Sequence, residues 1–411
     1  MTHALRTFDT GIARSRAVLA QPPDYWSYST LKEMALCPLR YCLEHASYPE
    51  MWAQHGYPLL PSPSSLFGNV VHGALEMILE ALSDAGVASP GTEEATQVLT
   101  GLGGLRAVIE SETTRQLALL EGNPRLSDDR KRRIHRQLRA QIQDARAQVQ
   151  TYLSRTQFVP GPSRADRAER KKHGSAKPRR QELADGSHAE VGLVAQGLRL
   201  RGRVDLLTVD GARVEIVDYK TGAESPSHEE QLRLYALLWD ADEVSNPKHL
   251  KAAGLTAAYR DHDMRAEVPS SAELLELSAW VEAEIAVASR EAGSRTPTAR
   301  PSPETCASCG VRQLCPTYWA AVAPRTIPSQ EDSWFDFEGV IGEENGQRSW
   351  WILNDEGRSQ MLLRTAATAP GFVVGDRVRL LGLRRESDPG VVSPIGAMTV
   401  TTEVFVFEGT A

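Results

Sequence analysis

Apolar positions along the chain change their spacing several times, and each change marks an element. Val214 to Tyr219 is β-branched and apolar and reads as a buried strand. Leu206, Leu207 and Val209 mark the strand before it, with Asp205 at its start, and Asp210-Gly211 between them is a hairpin turn signal. Leu232, Leu234, Tyr235 and Leu238 recur at helical spacing within Glu229 to Trp239, and Val70 to Leu79 reads as a helix too. Leu126 to Tyr152, rich in Arg, Gln, Ala and Leu, reads as one long helix, and Ala272 to Ala292 as another. After Pro328 the pattern turns to short strand-like runs at Trp334–Ile341, Ser349–Leu353, Gln360–Arg364, Arg377–Leu383 and Met398–Phe407. Five such runs separated by Gly, Asp and Asn fit a small β-barrel, and Gly375-Asp376-Arg377 suits an OB-type barrel turning into its next strand.

Composition narrows the picture. At 411 residues the chain predicts two or three domains, and 41% hydrophobic with 24% charged residues is ordinary for a globular protein. No apolar run approaches the roughly 18 residues a membrane helix needs, and Met1 to Gln21 has no apolar core of signal-peptide type. The expectation is a cytoplasmic protein with no membrane partner. A net charge of -7 is no nucleic-acid footprint for the whole chain, but Arg164 to Arg180 carries eight Lys or Arg against Asp166 and Glu169. That stretch reads as a flexible basic loop over 160–185, a composition suited to phosphates as well as to plain solvation. No Gly-x4-Gly-Lys-Ser/Thr phosphate loop occurs, so a helicase, if one is used, is a separate partner.

Two groups of residues carry chemistry. The first is Gly202-Arg203-Val204-Asp205, then Val217-Asp218-Tyr219-Lys220-Thr221-Gly222, then Gln231 through Tyr235. Side chains alternate across a strand, so Asp218 and Lys220 share a face and Tyr219 points away. The hairpin sets Asp205 opposite Asp218, which lets two carboxylates face one hard divalent cation such as Mg2+ or Mn2+. Gln231 and Tyr235, four apart, share one helix face. The second group is Cys306-x2-Cys309-x5-Cys315-Pro316, spaced for a loop around a soft metal centre. Five cysteines do not suit a disulfide framework, and a fourth thiolate has to come from Cys37 or Cys42. Zinc and iron–sulfur both take four thiolates.

These residues resemble the PD-(D/E)XK nuclease superfamily, in its RecB-like iron–sulfur branch, which includes the AddB nuclease domain and CRISPR-associated exonucleases. Gly-Arg-Val-Asp, Asp-Tyr-Lys-Thr-Gly and Gln-x3-Tyr occur in that order. Phe67-Gly68-Asn69-Val70-Val71-His72-Gly73 resembles the branch's first motif, and Ser27-Tyr28-Ser29-Thr30-Leu31 with Cys37-Pro38 resembles its opening motif. The resemblance spans roughly residues 27 to 320, although matching residues are dense only in these short blocks. It implies an α/β fold: a restriction-endonuclease-like core with a helical insertion, here followed by the small OB-like barrel. It implies metal ligation by His72, Asp205 and Asp218, a catalytic Lys220, and Gln231 and Tyr235 lining the site. It further implies a [4Fe-4S] cluster on Cys37, Cys306, Cys309 and Cys315, leaving Cys42 as a buried apolar residue.

The resulting expectation is a nuclease domain over 22–325, with a helical insertion at 84–158, and a barrel over 330–411. The implied activity is metal-dependent hydrolysis of DNA, by an exonuclease or flap-processing enzyme on single-stranded ends, in repair, recombination or phage defence. The alternative is a non-catalytic DNA-binding subunit of a helicase–nuclease complex with a structural metal cluster. For the barrel, Trp334, Phe335, Trp350, Trp351 and Arg364 suggest a stacking platform for bases, with core packing or partner docking as the competing roles.

Overall fold

A computed structural model describes residues 7–8, 17–49, 51–52, 56–161, 180–323, 326–365 and 371–406. Most of the basic 160–185 stretch lies outside the described residues. Strands β1 (Thr7–Phe8) and β2 (Ala17–Val18) pair as a short ribbon, followed by helices α1 (Tyr28–Leu36) and α2 (Pro38–Glu44). Next come α3 (Pro63–Asp84), α4 (Glu93–Gly101), α5 (Gly104–Ala118), α6 (Asp128–Ala140) and α7 (Ile142–Arg155). The central sheet has the order β3 (Gly186–Ala195), β4 (Leu200–Asp210), β5 (Arg213–Tyr219), β6 (Ala252–Ala258), β7 (Asp263–Ala266). β3, β4 and β5 form an antiparallel meander, and α8 (Pro226–Ala241) crosses over so that β6 runs parallel to β5. Helix α9 (Ser271–Gly293) then leads to the cysteine segment, which holds the short helices α10 (Pro303–Ala307) and α11 (Pro316–Ala321).

Two apolar cores sandwich the sheet. One joins α1, α2, α8 and α9 to Val204, Leu207, Val209 and Ile216; the other joins α3, α5, α6 and α7 to Leu206, Tyr219 and Ala258. Local signals set the helix starts: Ser62 caps α3 ahead of Pro63, Ser225 caps α8 ahead of Pro226, and Ser270 with Glu273 forms a capping box on α9. The expected single helix from Leu126 to Tyr152 is instead α6 and α7, broken at Gln141, whose ψ of 2 leaves the helical range. Propensity favours continuing through a glutamine. Ile134 and Leu138 before the break, and Ala145, Val149 and Tyr152 after it, nevertheless share one core, and the break lets both stripes face it.

Residues beyond 333 form β8 (Trp334–Glu344), β9 (Ser349–Leu353), β10 (Ser359–Arg364), β11 (Arg377–Glu386), β12 (Ile395–Ala397) and β13 (Glu403–Val406). The first five close into a barrel in the cyclic order β8-β9-β10-β12-β11, with β10 and β12 parallel and the other neighbours antiparallel; β13 lies outside on β11. The last expected strand, Met398–Phe407, is therefore a correction: β12 ends before it, a turn at Thr399–Thr402 follows, and only β13 falls inside it.

The barrel is fastened to the cysteine segment and to the chain ahead of α6. Asp336 of β8 accepts from Arg312 Nε at 2.6 Å, Tyr318 Oη at 2.8 Å and Gly382 N at 2.8 Å. Arg125 lies almost fully buried, donating to both Glu403 oxygens at 3.0 Å, to Gly310 O at 2.8 Å and to Pro58 O at 3.0 Å.

Candidate active site

The β4–β5 ladder pairs Leu206 with Val217, so the next step out brings Asp205 and Asp218 face to face. Asp205 sits in the middle of β4, since that strand begins at Leu200 rather than at Asp205. Its Oδ2 accepts from Tyr219 N at 2.6 Å, and His72 of α3 stands with Nδ1 3.6 Å from the same oxygen. Asp218 is buried, and its Oδ2 forms an ion pair with the Lys220 ammonium, outside hydrogen-bonding geometry. Lys220 Nζ donates to Gln231 Oε1 at 2.8 Å, and Gln231 Nε2 donates to Tyr235 Oη at 2.7 Å. The Lys220 backbone is pinned as well, its N–H donating to Ala258 O at 2.8 Å and its carbonyl accepting from Tyr152 Oη at 2.6 Å. Tyr219 points to the opposite core, where its hydroxyl meets Thr156 at 2.7 Å.

Two motif glycines make this convergence possible by close approach. A Cβ on Gly68 would lie 2.9 Å from Thr221 Oγ1, so α3 can rest on the turn after Lys220. A Cβ on Gly202 would lie 2.6 Å from Leu238 Cδ1 and 3.2 Å from Tyr235 Cε1, so its absence lets α8 lie flat on β4.

The site is strongly anionic for its burial. Desolvation, then the facing Asp205, pushes the Asp218 carboxyl up to about 6, against the pull of Lys220. Burial draws the His72 imidazole down, but the Asp205 hydrogen bond and charge, with Asp218, leave it raised. Glu190 of β3 is pushed up to about 7 by burial and then by Asp205. Sequence reasoning missed Glu190, because a lone glutamate on a strand carries no motif. The pairs Ala189–Leu206 and Val191–Val204 place it across from Asp205. Arg203 pairs with both Glu190 and Glu76, the latter one helical turn after His72. An arrangement of carboxylates, imidazole and ammonium at a strand edge suits a hard cation and a phosphate together.

Residues 25–316 match the PD-(D/E)XK nuclease superfamily. The chain belongs to this superfamily. Its members are generally metal-dependent nucleases that use Mg2+ or Mn2+. None of the curated proteins matches the chain. A solved structure of a murine DNA binding protein bound with ds DNA aligns at 8% identity, covering 54% of this chain and 95% of that one, with a TM-score of 0.19.

Beside this superfamily core, Cys37, Cys306, Cys309 and Cys315 line one cavity, together with Arg40, Arg300 and Arg312. Cys37 lies between α1 and α2, Cys306 within α10, Cys309 two residues past α10, and Cys315 at the cap of α11. Backbone N–H groups point at two of the sulfurs, Arg300 N at 3.5 Å from Cys37 Sγ and Tyr318 N at 3.4 Å from Cys315 Sγ. Burial pushes the Cys309 thiol up to about 11 and raises Cys315. Cys42 is absent from this cavity and packs in the first core. Among the described residues no three His, Cys, Asp or Glu side chains form a ready-made ligand set, in this cavity or at the carboxylates.

Of the five residues suggested as a base-stacking platform, two turn inward and one is held in an ion pair. Phe335 fills the barrel core, Trp350 packs on that core and on Phe372, and Arg364 is paired with Asp388 at 2.7 Å. Trp334 remains 58% exposed. From residue 331 onward the chain carries thirteen Asp or Glu against seven Arg and no Lys, a poor match for a phosphate backbone.

Proposed function

We propose that the protein is a metal-dependent deoxyribonuclease that hydrolyses phosphodiester bonds at single-stranded DNA ends, as an exonuclease or flap-processing enzyme. The observation that carries this reading is the β4–β5 register, which sets Asp205 and Asp218 opposite each other with His72 and Lys220 at their edge. His72, Asp205 and Asp218 are the donors for Mg2+ or Mn2+, and a buried carboxylate facing a second carboxylate fits such a hard cation. When bound, the ion lowers the pKa of its water and neutralises phosphate charge. Lys220 Nζ, reachable from Asp218 and held by Gln231, orients the attacking water or donates to the oxygen that gains charge. The Lys220 ammonium can only donate and so takes the Gln231 oxygen, which leaves the amide nitrogen to donate to Tyr235 Oη.

The nuclease unit corresponds to 22–325, with 84–158 as a helical wall. Four thiols around one cavity, two of them receiving backbone N–H groups, fit a [4Fe-4S] cluster held by Cys37, Cys306, Cys309 and Cys315. Such a cluster fastens the first helices to the end of the domain and contributes to folding. Zinc is separated from it by visible absorption of anaerobically purified protein, which is broad and bleached by oxidation for the cluster and lacking for zinc. The barrel over 330–411 is read as OB-like from its cyclic strand order and its parallel β10–β12 pair. Its acidic balance favours a partner protein, such as a helicase or another repair or defence component, over direct contact with DNA.

End-labelled single-stranded and duplex DNA incubated with Mg2+ or Mn2+ tests the reading. Cleavage by the wild type that disappears in Lys220→Ala is expected, with the label reporting polarity. A cluster-loaded wild type that cuts no DNA end would favour the non-catalytic DNA-binding subunit instead.

A further inference from the structure

Arg203 stands next to this chemistry without a part in it. Its Nη2 meets Glu76 Oε1 and its Nε meets Glu190 Oε2, so the guanidinium bridges α3 and β3 across β4. Both carboxylates belong to the site's immediate surroundings. Glu76 follows His72 by one helical turn, and Glu190 lies across the ladder from Asp205. Glu190 is aimed there by an unusual backbone: its φ is 51, left-handed for a non-glycine residue in mid-strand. The strands change faces at this point. Ala189 and Leu206 contribute to one core, whereas Val191, Leu193 and Val204 contribute to the other.

The outcome is two neighbouring carboxylate pairs. Asp205 and Asp218 face His72 and Lys220, while Glu76 and Glu190 clasp Arg203. Two-metal phosphodiesterases use adjacent oxygen cages of this kind to hold two ions on one phosphate. A guanidinium offers a permanent charge and a planar fork that meets carboxylates from separate elements, with no ion to be recruited. We propose that the Arg203 guanidinium is a resident cation occupying the place a second divalent ion would take, so that this active site works with a single metal ion. The inference rests on the metal-dependent nuclease reading. The side chain of Arg203 is 58% exposed.

Mn2+ binding to the full-length, cluster-loaded protein without DNA, followed by calorimetry and electron paramagnetic resonance, tests this. The wild type is expected to bind one Mn2+ at the active site, Arg203→Lys also one, and Arg203→Ala two, with the second ion lost again when Glu190→Gln is added. Two active-site ions in the wild type, or one ion in Arg203→Ala, would overturn the proposal while leaving the nuclease reading intact. No active-site ion in the wild type, or binding indifferent to Asp218→Asn, would remove the metal-centre reading and the proposal with it.

Discussion

Asp218 shows how a single residue is kept uncomfortable for use. Its carboxyl is buried opposite Asp205 and rises to about 6, so the folded state penalises its charged form. In the unfolded chain the same group ionises in the ordinary carboxylate range. Below that range both states are protonated and the penalty vanishes; as pH rises from there to about 6 the unfolded chain gives up its proton while the folded state still holds it, and stability is lost. Glu190, raised to about 7, acts in the same sense. Metal-free protein is therefore expected to melt at a higher temperature at pH 5.5 than at pH 7.5 where these two groups dominate. Asp218→Asn should flatten that dependence and stabilise the metal-free protein by on the order of 1 kcal/mol at pH 7.5. Thermal melts of both proteins with chelator at the two pH values check this; a destabilised Asn variant would contradict it. Asp205, Asp218 and Lys220 were legible in the sequence because strand alternation and a two-residue turn fix where they point. Glu190 was not, because its position depends on a left-handed mid-strand residue that no alternation rule anticipates.

At the level of elements, glycine does as much as the polar residues. Gly202→Ala places a methyl against Leu238 and Tyr235, so α8 must shift off β4 or those side chains must turn. A cost of about 1–3 kcal/mol is expected for such overpacking, together with reduced cleavage as Tyr235 and Gln231 move. Denaturant unfolding alongside a cleavage assay reads both, and an unchanged activity would contradict the link from α8 to Lys220. The cysteine segment gives a second prediction. Cys309→Ser should abolish visible absorption in anaerobically purified protein, whereas Cys42→Ser should retain it, since Cys42 lies in the core and not at the cavity. Most element types were legible from periodicity and turn chemistry. The break at Gln141 and the split of the final strand were not, because both are set by what neighbouring segments pack against rather than by the local residues.

Across the whole molecule, a few polar hubs tie the barrel to the rest. Arg125 is buried between Glu403, Gly310 and Pro58, with its guanidinium over the Tyr57 ring at 5.0 Å. Removing one partner of a buried pair strands the other, so Arg125→Ala should cost about 3 kcal/mol or more. The loss should appear as faster proteolysis between the barrel and the cysteine segment, and equal digestion rates would contradict it. The barrel itself was visible in the sequence as a run of short strands, but its mooring was not, since Arg125 and Glu403 are 278 positions apart.

On the proposed reading, Lys220 performs chemistry at a metal site built by His72, Asp205 and Asp218. Single-turnover cleavage of end-labelled single-stranded DNA by the wild type and Lys220→Ala, with Mn2+ affinity measured on the same samples, tests it most directly. Affinity is expected to stay within a few-fold and cleavage to fall on the order of 100-fold or more in the variant. Equal cleavage by the two proteins, or a wild type that binds Mn2+ and cuts nothing, would contradict it.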